Sequence, residues 1–294
     1  MSQERVIVVG GGVIGASSAW WLDRAGFEVV VLERRNSFGS VTTRNALGTI
    51  RTQYGTRVLI DLAQESLAFY QNMTEHLGVE QHAPGWANHG YLYLTDDADH
   101  AGRLQASLAE YQSMGVSSSS YLGESEIRDR FPFAGAAVAG IFHGDGSWVD
   151  PRRITEVWVE ASPAVDWRTG VEVTGLAPTA SGDWGVETNQ GALTADRVVI
   201  CSGPYAPALL QQFGVTVPVK ITPRYKLFVP DMDAMHAAAP LVININNGAY
   251  WRPVDGGVWL SHSNVDGRSL DPADTVAVPD GFLDDCADQI EPVS

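Results

Sequence analysis

Arg5-Val6-Ile7-Val8-Val9-Gly10-Gly11-Gly12-Val13-Ile14-Gly15-Ala16, continued to Arg35, is the stretch that decides the fold. Val6–Val9 is a run of β-branched residues that suits a buried strand. After the glycines, Ala16–Arg24 carries a helical pattern, the chain turns at Ala25-Gly26, and a second apolar run, Phe27–Leu32, ends on Glu33. This is a β-α-β unit with G-x-G-x-x-G at its first turn. Gly10 permits the tight turn, Gly12 lets the backbone approach a pyrophosphate, and Gly15 seats the helix against the strand. The free N–H groups of the helix start then face the anion. Glu33, about twenty residues on, is placed to accept hydrogen bonds from ribose hydroxyls. Glycines alone describe any glycine-rich turn. Strand, glycines, helix, strand and acid in that order favour dinucleotide binding.

At 294 residues the chain has room for two domains, and its 45% hydrophobic content is normal for a globular core. The net charge is −16 and the only lysines are Lys220 and Lys226. That balance argues against nucleic-acid backbones and anionic membranes as partners, since both need clustered cations. Cys201 and Cys286 are the only cysteines, so no disulfide framework or thiolate metal site is expected, and a reducing, cytoplasmic setting follows. Val6–Leu22 is apolar enough to suggest a signal peptide, but the glycine fingerprint accounts for it. No stretch reaches the roughly eighteen apolar residues of a membrane span.

Further along, Thr56–Leu77 reads as one long helix stopped by Gly78, Gly90–Thr95 as a strand, and Asp99–Met114 as a helix ended by Gly115. Ser117–Ser120 is a polar run, Glu124–Arg130 a short helix, and Val138–Phe142 an apolar segment before the turn His143–Gly146. Pro151 takes the favoured first position of a helix over Arg152–Ala161. Val171–Leu176 and the hairpin around Gly185–Gly191 precede Arg197–Cys201, a buried strand. That strand runs into a second small-residue loop, Ser202-Gly203-Pro204, and then a helix over Tyr205–Phe213. Strands follow at Val217–Ile221, Tyr225–Val229, Leu241–Ile245, Gly248–Arg252 and Gly257–His262, and a helix at Pro279–Ile290. Nucleotide-type signals at 1–82 and 145–214 thus alternate with strand-rich sequence at 83–144 and 215–294, which predicts two discontinuous domains.

Five stretches in this order resemble the D-amino-acid oxidase and sarcosine oxidase family of flavoproteins: Val6–Arg34; Thr42-Thr43-Arg44-Asn45-Ala46-Leu47-Gly48-Thr49-Ile50-Arg51-Thr52-Gln53-Tyr54; Gly146–Pro151; Thr194–Pro207; and Gly248-Ala249-Tyr250-Trp251-Arg252-Pro253. The resemblance implies an α/β fold. A Rossmann-like FAD-binding domain on a parallel sheet would join a second α+β substrate domain on a mixed or antiparallel sheet. It also implies FAD as cofactor, with Gly10, Gly11, Gly12, Val13, Ile14 and Gly15 at the pyrophosphate, and Glu33 and Arg34 at the adenosine. Thr42, Thr43 and Arg44 would lie near phosphate or flavin, with Val173 at the adenine and Gly203 approaching the cofactor. The hydroxyls of Thr42 and Thr43 read equally as helix caps. Some relatives carry a flavin-linked histidine in the segment matching Ser40–Gly48; here Asn45 stands there, so non-covalent FAD is expected. Relatives continue past Leu270–Ser294 with a segment that returns to the first domain, so the chain is expected to lack that part.

The chemistry implied is oxidation of an amine or amino-acid C–N bond, of the sarcosine, dimethylglycine or D-amino-acid type, by hydride transfer to flavin N5. Oxygen or another acceptor would then take the electrons. Arg51 and Arg252 are candidates for the substrate carboxylate, or they make structural ion pairs. Tyr54 and Tyr250 line the pocket or pack in the core. His262 is a pocket candidate on its strand, whereas Asp145, Asp150 and Glu124 read as caps or solvated charges. No metal-ligand spacing is present. Two alternatives stay open: a 2-hydroxy-acid dehydrogenase on the same fold, and a non-catalytic nucleotide-binding remnant.

Overall fold

The apolar runs at Val6–Val9 and Val29–Leu32 are neighbours in a parallel sheet because both of their faces are buried. The computed structural model describes residues 3–78, 84–231, 238–262, 271–273 and 275–290. In chain order they form β1 (Arg5–Val9), α1 (Val13–Arg24), β2 (Glu28–Glu33), α2 (Thr42–Asn45), β3 (Thr49–Ile50), α3 (Arg57–Gln71) and α4 (Met73–Leu77). Next come β4 (Tyr91–Thr95), α5 (Ala98–Ser113), β5 (Ser119–Gly123), α6 (Glu124–Arg130), β6 (Ala139–His143), β7 (Ser147–Trp148) and α7 (Ile154–Glu160). The remainder is β8 (Asp166–Thr169), β9 (Val173–Pro178), β10 (Trp184–Thr188), β11 (Gly191–Ala195), β12 (Arg197–Ile200) and α8 (Ala206–Gln211), then β13 (Leu227–Pro230), β14 (Leu241–Asn244), β15 (Ala249–Val254), β16 (Gly257–His262) and α9 (Phe282–Ile290). No helix among the described residues is long and apolar enough to cross a membrane.

The chain forms two compact units: Met1–Gly48, Asn72–Gly85 and Val149–Ile221 make the first, and Thr49–Gln71, Trp86–Trp148 and Thr222–Ser294 the second. In the first, a four-stranded parallel sheet runs β12-β1-β2-β8. Ile7, Val9, Val30 and Leu32 point to one face and pack with Val171, Leu176, Val186 and Leu209. The alternate residues Val8, Val29 and Val31 pack on Ala19 of α1 and on Val165. Burying each such side chain contributes about 1.5–3 kcal/mol, so two-sided burial explains why these strands are uninterrupted β-branched runs. An antiparallel sheet, β11-β10-β9, accompanies it.

The second unit is a seven-stranded mixed sheet ordered β13-β16-β15-β14-β4-β6-β5, together with the β3-β7 pair. Leu92, Leu94, Val242, Trp251, Val258 and Leu260 bury one face with Ile127 of α6 and Phe282 of α9. The opposite face carries Tyr91 and Tyr93. Ile243 lies beside Tyr93 and Tyr250 beside Ile243, by register.

Several expectations change. The helix expected over Thr56–Leu77 is two, broken at Asn72, where the chain passes from one unit to the other. The segment 49–71, grouped by sequence with 1–82, packs in the second unit, where Gln64 Nε2 donates to Gly115 O at 3.1 Å. Val217–Ile221 is not a strand; Pro218 lacks a ladder donor, and Val219 is exposed. Pro151 is not at the first helical position, since α7 starts at Ile154 and Pro151 belongs to the preceding turn. The polar stretch starting at Ser119 is β5, which tolerates its serines as a sheet edge, and Asp166–Thr169 adds an unforeseen edge strand, β8.

Candidate functional site

Strand order places the first crossover, β1-α1-β2, on one side of β1, with β12 on the other. A crevice therefore opens at the carboxyl ends of these strands, the position where open α/β sheets bind ligands. A cavity of about 490 Å³ lies there. Gly10, Gly12, Val13 and Ile14 line it from the glycine turn, Glu33 and Arg34 from the end of β2, Thr42 and Thr43 from α2, Val173 from β9, and Gly203 from the loop after β12. These ten residues, singled out from sequence, are brought together.

The glycine turn is fixed by contacts that tolerate no side chain. A Cβ on Gly15 would stand 1.9 Å from the Gly10 carbonyl oxygen, and one on Gly10 (φ +104°) 2.5 Å from that of Cys201. Gly11 does not line the cavity; its Cβ position is filled by Phe38, 2.4 Å away, and its N–H donates to Glu33 Oε2 at 2.8 Å. Glu33 Oε1 accepts from Arg35 N at 2.8 Å. Glu33 thus stitches the turn to the end of its own strand, and each oxygen keeps a second acceptor direction for a ligand. Gly12 is the least confined of the four, with Thr43 Oγ1 alone near its Cβ position, at 3.2 Å.

Thr43 is a cap, but of a different helix from its own. Its hydroxyl accepts from Val13 N at 3.1 Å, at the start of α1, while α2 has no side-chain cap. A cap of this kind contributes about 1 kcal/mol. Arg44 is exposed and does not line the cavity. Asn45 Nδ2 donates to Val41 O at 2.9 Å, closing α2 on itself. Sequence reasoning missed Tyr205, over whose ring the Arg34 guanidinium carbon sits at 4.1 Å, and Ser40; Ser40 and Ser202, the latter in the small-residue loop named from sequence, line the same cavity with buried hydroxyl oxygens that have no protein partner.

The substrate candidates fall in the second unit. Arg51 stacks on Tyr54, with its guanidinium carbon 4.6 Å from the ring centroid, and its Nη1 lies 3.4 Å from the Tyr93 hydroxyl. Burial raises the Tyr93 pKa above the ordinary phenol value, so the hydroxyl stays protonated. Tyr250 lies in the cross-strand row of Tyr93 through Ile243, and Arg252, two residues on along β15, shares the face of Tyr250. The register thus brings these side chains to one face. Arg252 is 5% exposed, donates from Nη1 to Pro253 O at 2.8 Å, and lies over Trp148 at 5.2 Å. His262 ends β16, and its side chain lies outside the described residues. Tyr93 was not among the sequence candidates, although the alternation Tyr91-Leu92-Tyr93-Leu94 that marks the strand also sets both tyrosines on a single face.

Beneath Tyr93 lies His143, 1% exposed, hydrogen-bonded through Nδ1 to the Ser119 hydroxyl. Burial holds its pKa at about 4, opposed by Asp145 and assisted by Arg51. The unfolded chain takes up this proton near pH 6.5, the folded one only near pH 4. Stability is therefore intact above pH 6.5 and falls as pH drops toward 4, by roughly 3 kcal/mol from this group. Melting curves from pH 7 to 4.5 should show a steeper loss in the wild type than in His143→Gln; parallel losses would refute the assignment.

The chain is 26% identical over 268 residues to 4-methylaminobutanoate oxidase (formaldehyde-forming) of Paenarthrobacter nicotinovorans, covering 90% of this chain and 32% of that protein. It is 25% identical to the mitochondrial dimethylglycine dehydrogenase of Rattus norvegicus, covering 95% of this chain and 33% of that one. It spans about a third of the length of these relatives. The structure superimposes on L-proline dehydrogenase from P. horikoshii with a TM-score of 0.83 at 20% identity, covering 99% of this chain and 77% of that one, which shows a shared fold. Residues 5–292 match the DAO family, FAD dependent oxidoreductase, and the chain belongs to that family.

Proposed function

We propose that the first unit holds FAD non-covalently in its cavity and that the protein oxidises the C–N bond of an amine or amino acid, of the sarcosine, dimethylglycine or D-amino-acid type. The observation that carries the cofactor reading is the cavity lining itself: glycine backbone at the first turn, an acid at the end of β2, two buried seryl hydroxyls without partners, and Ile14, 65% exposed on the first turn of α1. These groups suit an ADP moiety. The Gly12 backbone and the start of α1 would meet the pyrophosphate, Glu33 the ribose, and Arg34 with Val173 the adenine. With Asn45 engaged on Val41, no histidine offers itself for covalent attachment in that segment. When bound, the flavin supplies the hydride acceptor.

In the second unit, Arg51 would take the substrate carboxylate, with the protonated Tyr93 hydroxyl as a further donor. Tyr54 holds the guanidinium plane in place, and Tyr250 and Arg252 complete the same face. The named activities of the two curated relatives and of the proline dehydrogenase, all on amines or amino acids, support this class. The free thiols of Cys201 and Cys286 fit a reducing, cytoplasmic setting. The test is anaerobic mixing of the FAD-loaded protein with N-methylglycine, N,N-dimethylglycine and a panel of D-amino acids. Bleaching of the visible flavin band is expected with at least one, and an unchanged spectrum with all of them would defeat the substrate class.

A further inference from the structure

We propose that Asp145 is a positioning residue whose carboxylate latches Thr52 and Gln53 and so fixes where Arg51 and Tyr54 stand. The strap begins at β3, which pairs with β7 through Thr49 with Trp148 and Ile50 with Ser147. Beyond Ile50 it leaves the ladder, and Arg51–Tyr54 have no regular structure. Within this short run the outer residues are accessible, Arg51 exposed and Tyr54 half-buried, whereas Thr52 and Gln53 are 0% and 1% exposed. A buried hydroxyl and amide need partners, or each costs more than its burial returns.

Asp145 accepts from the hydroxyl and from the amide nitrogen, while Gln53 Oε1 is buried without a partner among the described residues. Thr52 Oγ1 donates to Asp145 Oδ2 at 2.8 Å, and Gln53 Nε2 to Asp145 Oδ1 at 3.3 Å. The same amide nitrogen reaches Thr52 Oγ1 at 3.2 Å, so the three side chains close a ring. Asp145 is itself held in the turn between β6 and β7, where its carbonyl accepts from Ser147 Oγ at 3.0 Å. Ser147 is the residue paired with Ile50. The carboxylate therefore joins two ends of one small device: the ladder that starts the strap and the buried middle of the strap. Thr52 and Gln53 each engage one carboxylate oxygen, and the role assigned to Asp145 is exerted through these two neighbours. Arg51, next in the chain to Thr52, then reaches Tyr93 and stacks on Tyr54 from a fixed backbone.

The functional consequence rests on Arg51 binding the substrate carboxylate; the mechanical one does not. The test therefore has two arms, run on the full chain loaded with FAD for Asp145→Ala, Asp145→Asn and Thr52→Val. The last variant keeps the volume of a fully buried side chain while deleting its donor, so it serves if Asp145→Ala does not fold. In hydrogen exchange, amides of residues 51–54 should open about tenfold faster in Asp145→Ala and Thr52→Val, with Asp145→Asn between them and the wild type, because its amide oxygen still accepts one bond. In turnover, KM for N-methylglycine should rise about tenfold with kcat nearly unchanged. Wild-type exchange at 51–54 in both Asp145→Ala and Thr52→Val would overturn the latch. Faster exchange with unchanged KM and kcat would overturn its positioning role. A wild type that turns over no amine would count against the proposed function alone, leaving exchange to decide the latch.

Discussion

Purified Gly12→Ala is expected to melt only slightly below the wild type, by no more than the loss of one helix cap, and to bind FAD at least about a hundredfold more weakly, whereas Gly15→Ala should lose far more stability as well as the cofactor. The two glycines sit three residues apart but meet different obstacles. At Gly12 the backbone is ordinary (φ −75°), and the added methyl would meet only Thr43 Oγ1 at 3.2 Å. That hydroxyl caps α1 through Val13 N, so the methyl needs a shift of a few tenths of an ångström at a cost of up to about 1 kcal/mol; a phosphate approaching the same backbone meets the methyl itself. At Gly15 the methyl would stand 1.9 Å from Gly10 O, and neither side can give. Gly10 N is bonded to Leu32 O at 2.8 Å and Cys201 N to Val9 O at 2.7 Å, tying the turn to β1 and β2. Helix α1 must move, taking its first-turn N–H groups with it. Overpacking of this kind costs about 1–3 kcal/mol or more, and each 1.4 kcal/mol is about tenfold in affinity. Thermal melts and flavin fluorescence titration separate the two outcomes. Wild-type FAD affinity in Gly12→Ala would remove the pyrophosphate from this turn.

Arg51→Met should lower kcat/KM for an amino-acid substrate by on the order of a hundredfold, about 3 kcal/mol, while sparing an amine of similar size that lacks a carboxylate. Arg51→Lys should recover little, since an ammonium cannot reproduce the planar stack on Tyr54 or a two-point grip on a carboxylate. Arg252→Met is the informative contrast. That guanidinium is buried over Trp148 and bonded to Pro253 O, so its loss should appear first as a lower melting temperature. Equal losses for acid and amine in Arg51→Met would place the carboxylate partner elsewhere.

The nucleotide unit was legible because its determinants are local. Strand, glycine turn, helix and second strand follow one another without a break, and the spacing to Glu33 is set by the length of a single crossover. What the motif leaves open is the detail of who holds whom. The middle glycine, Gly11, is spent on Phe38 and Glu33, and Thr43 caps α1 from another segment. Both depend on residues about twenty to thirty positions away, placed by the parallel sheet.

The proposed substrate face was legible only as a set of candidates. Arg51, Tyr54, Tyr250 and Arg252 could be named by type, but nothing in their spacing puts position 51 beside 93. Likewise, Asp145 looks like any turn aspartate until Thr52 and Gln53 arrive from more than ninety residues earlier.

The sequence by itself determined the β-α-β unit and its glycine turn, because backbone φ, Cβ clearance and two-sided burial act within one crossover. Tertiary structure alone decided which unit holds 49–71, which strand edges tolerate polar residues, and how Asp145 secures the Arg51 strap. Those outcomes turn on register and on the partners of buried polar groups, which exist only once distant segments meet.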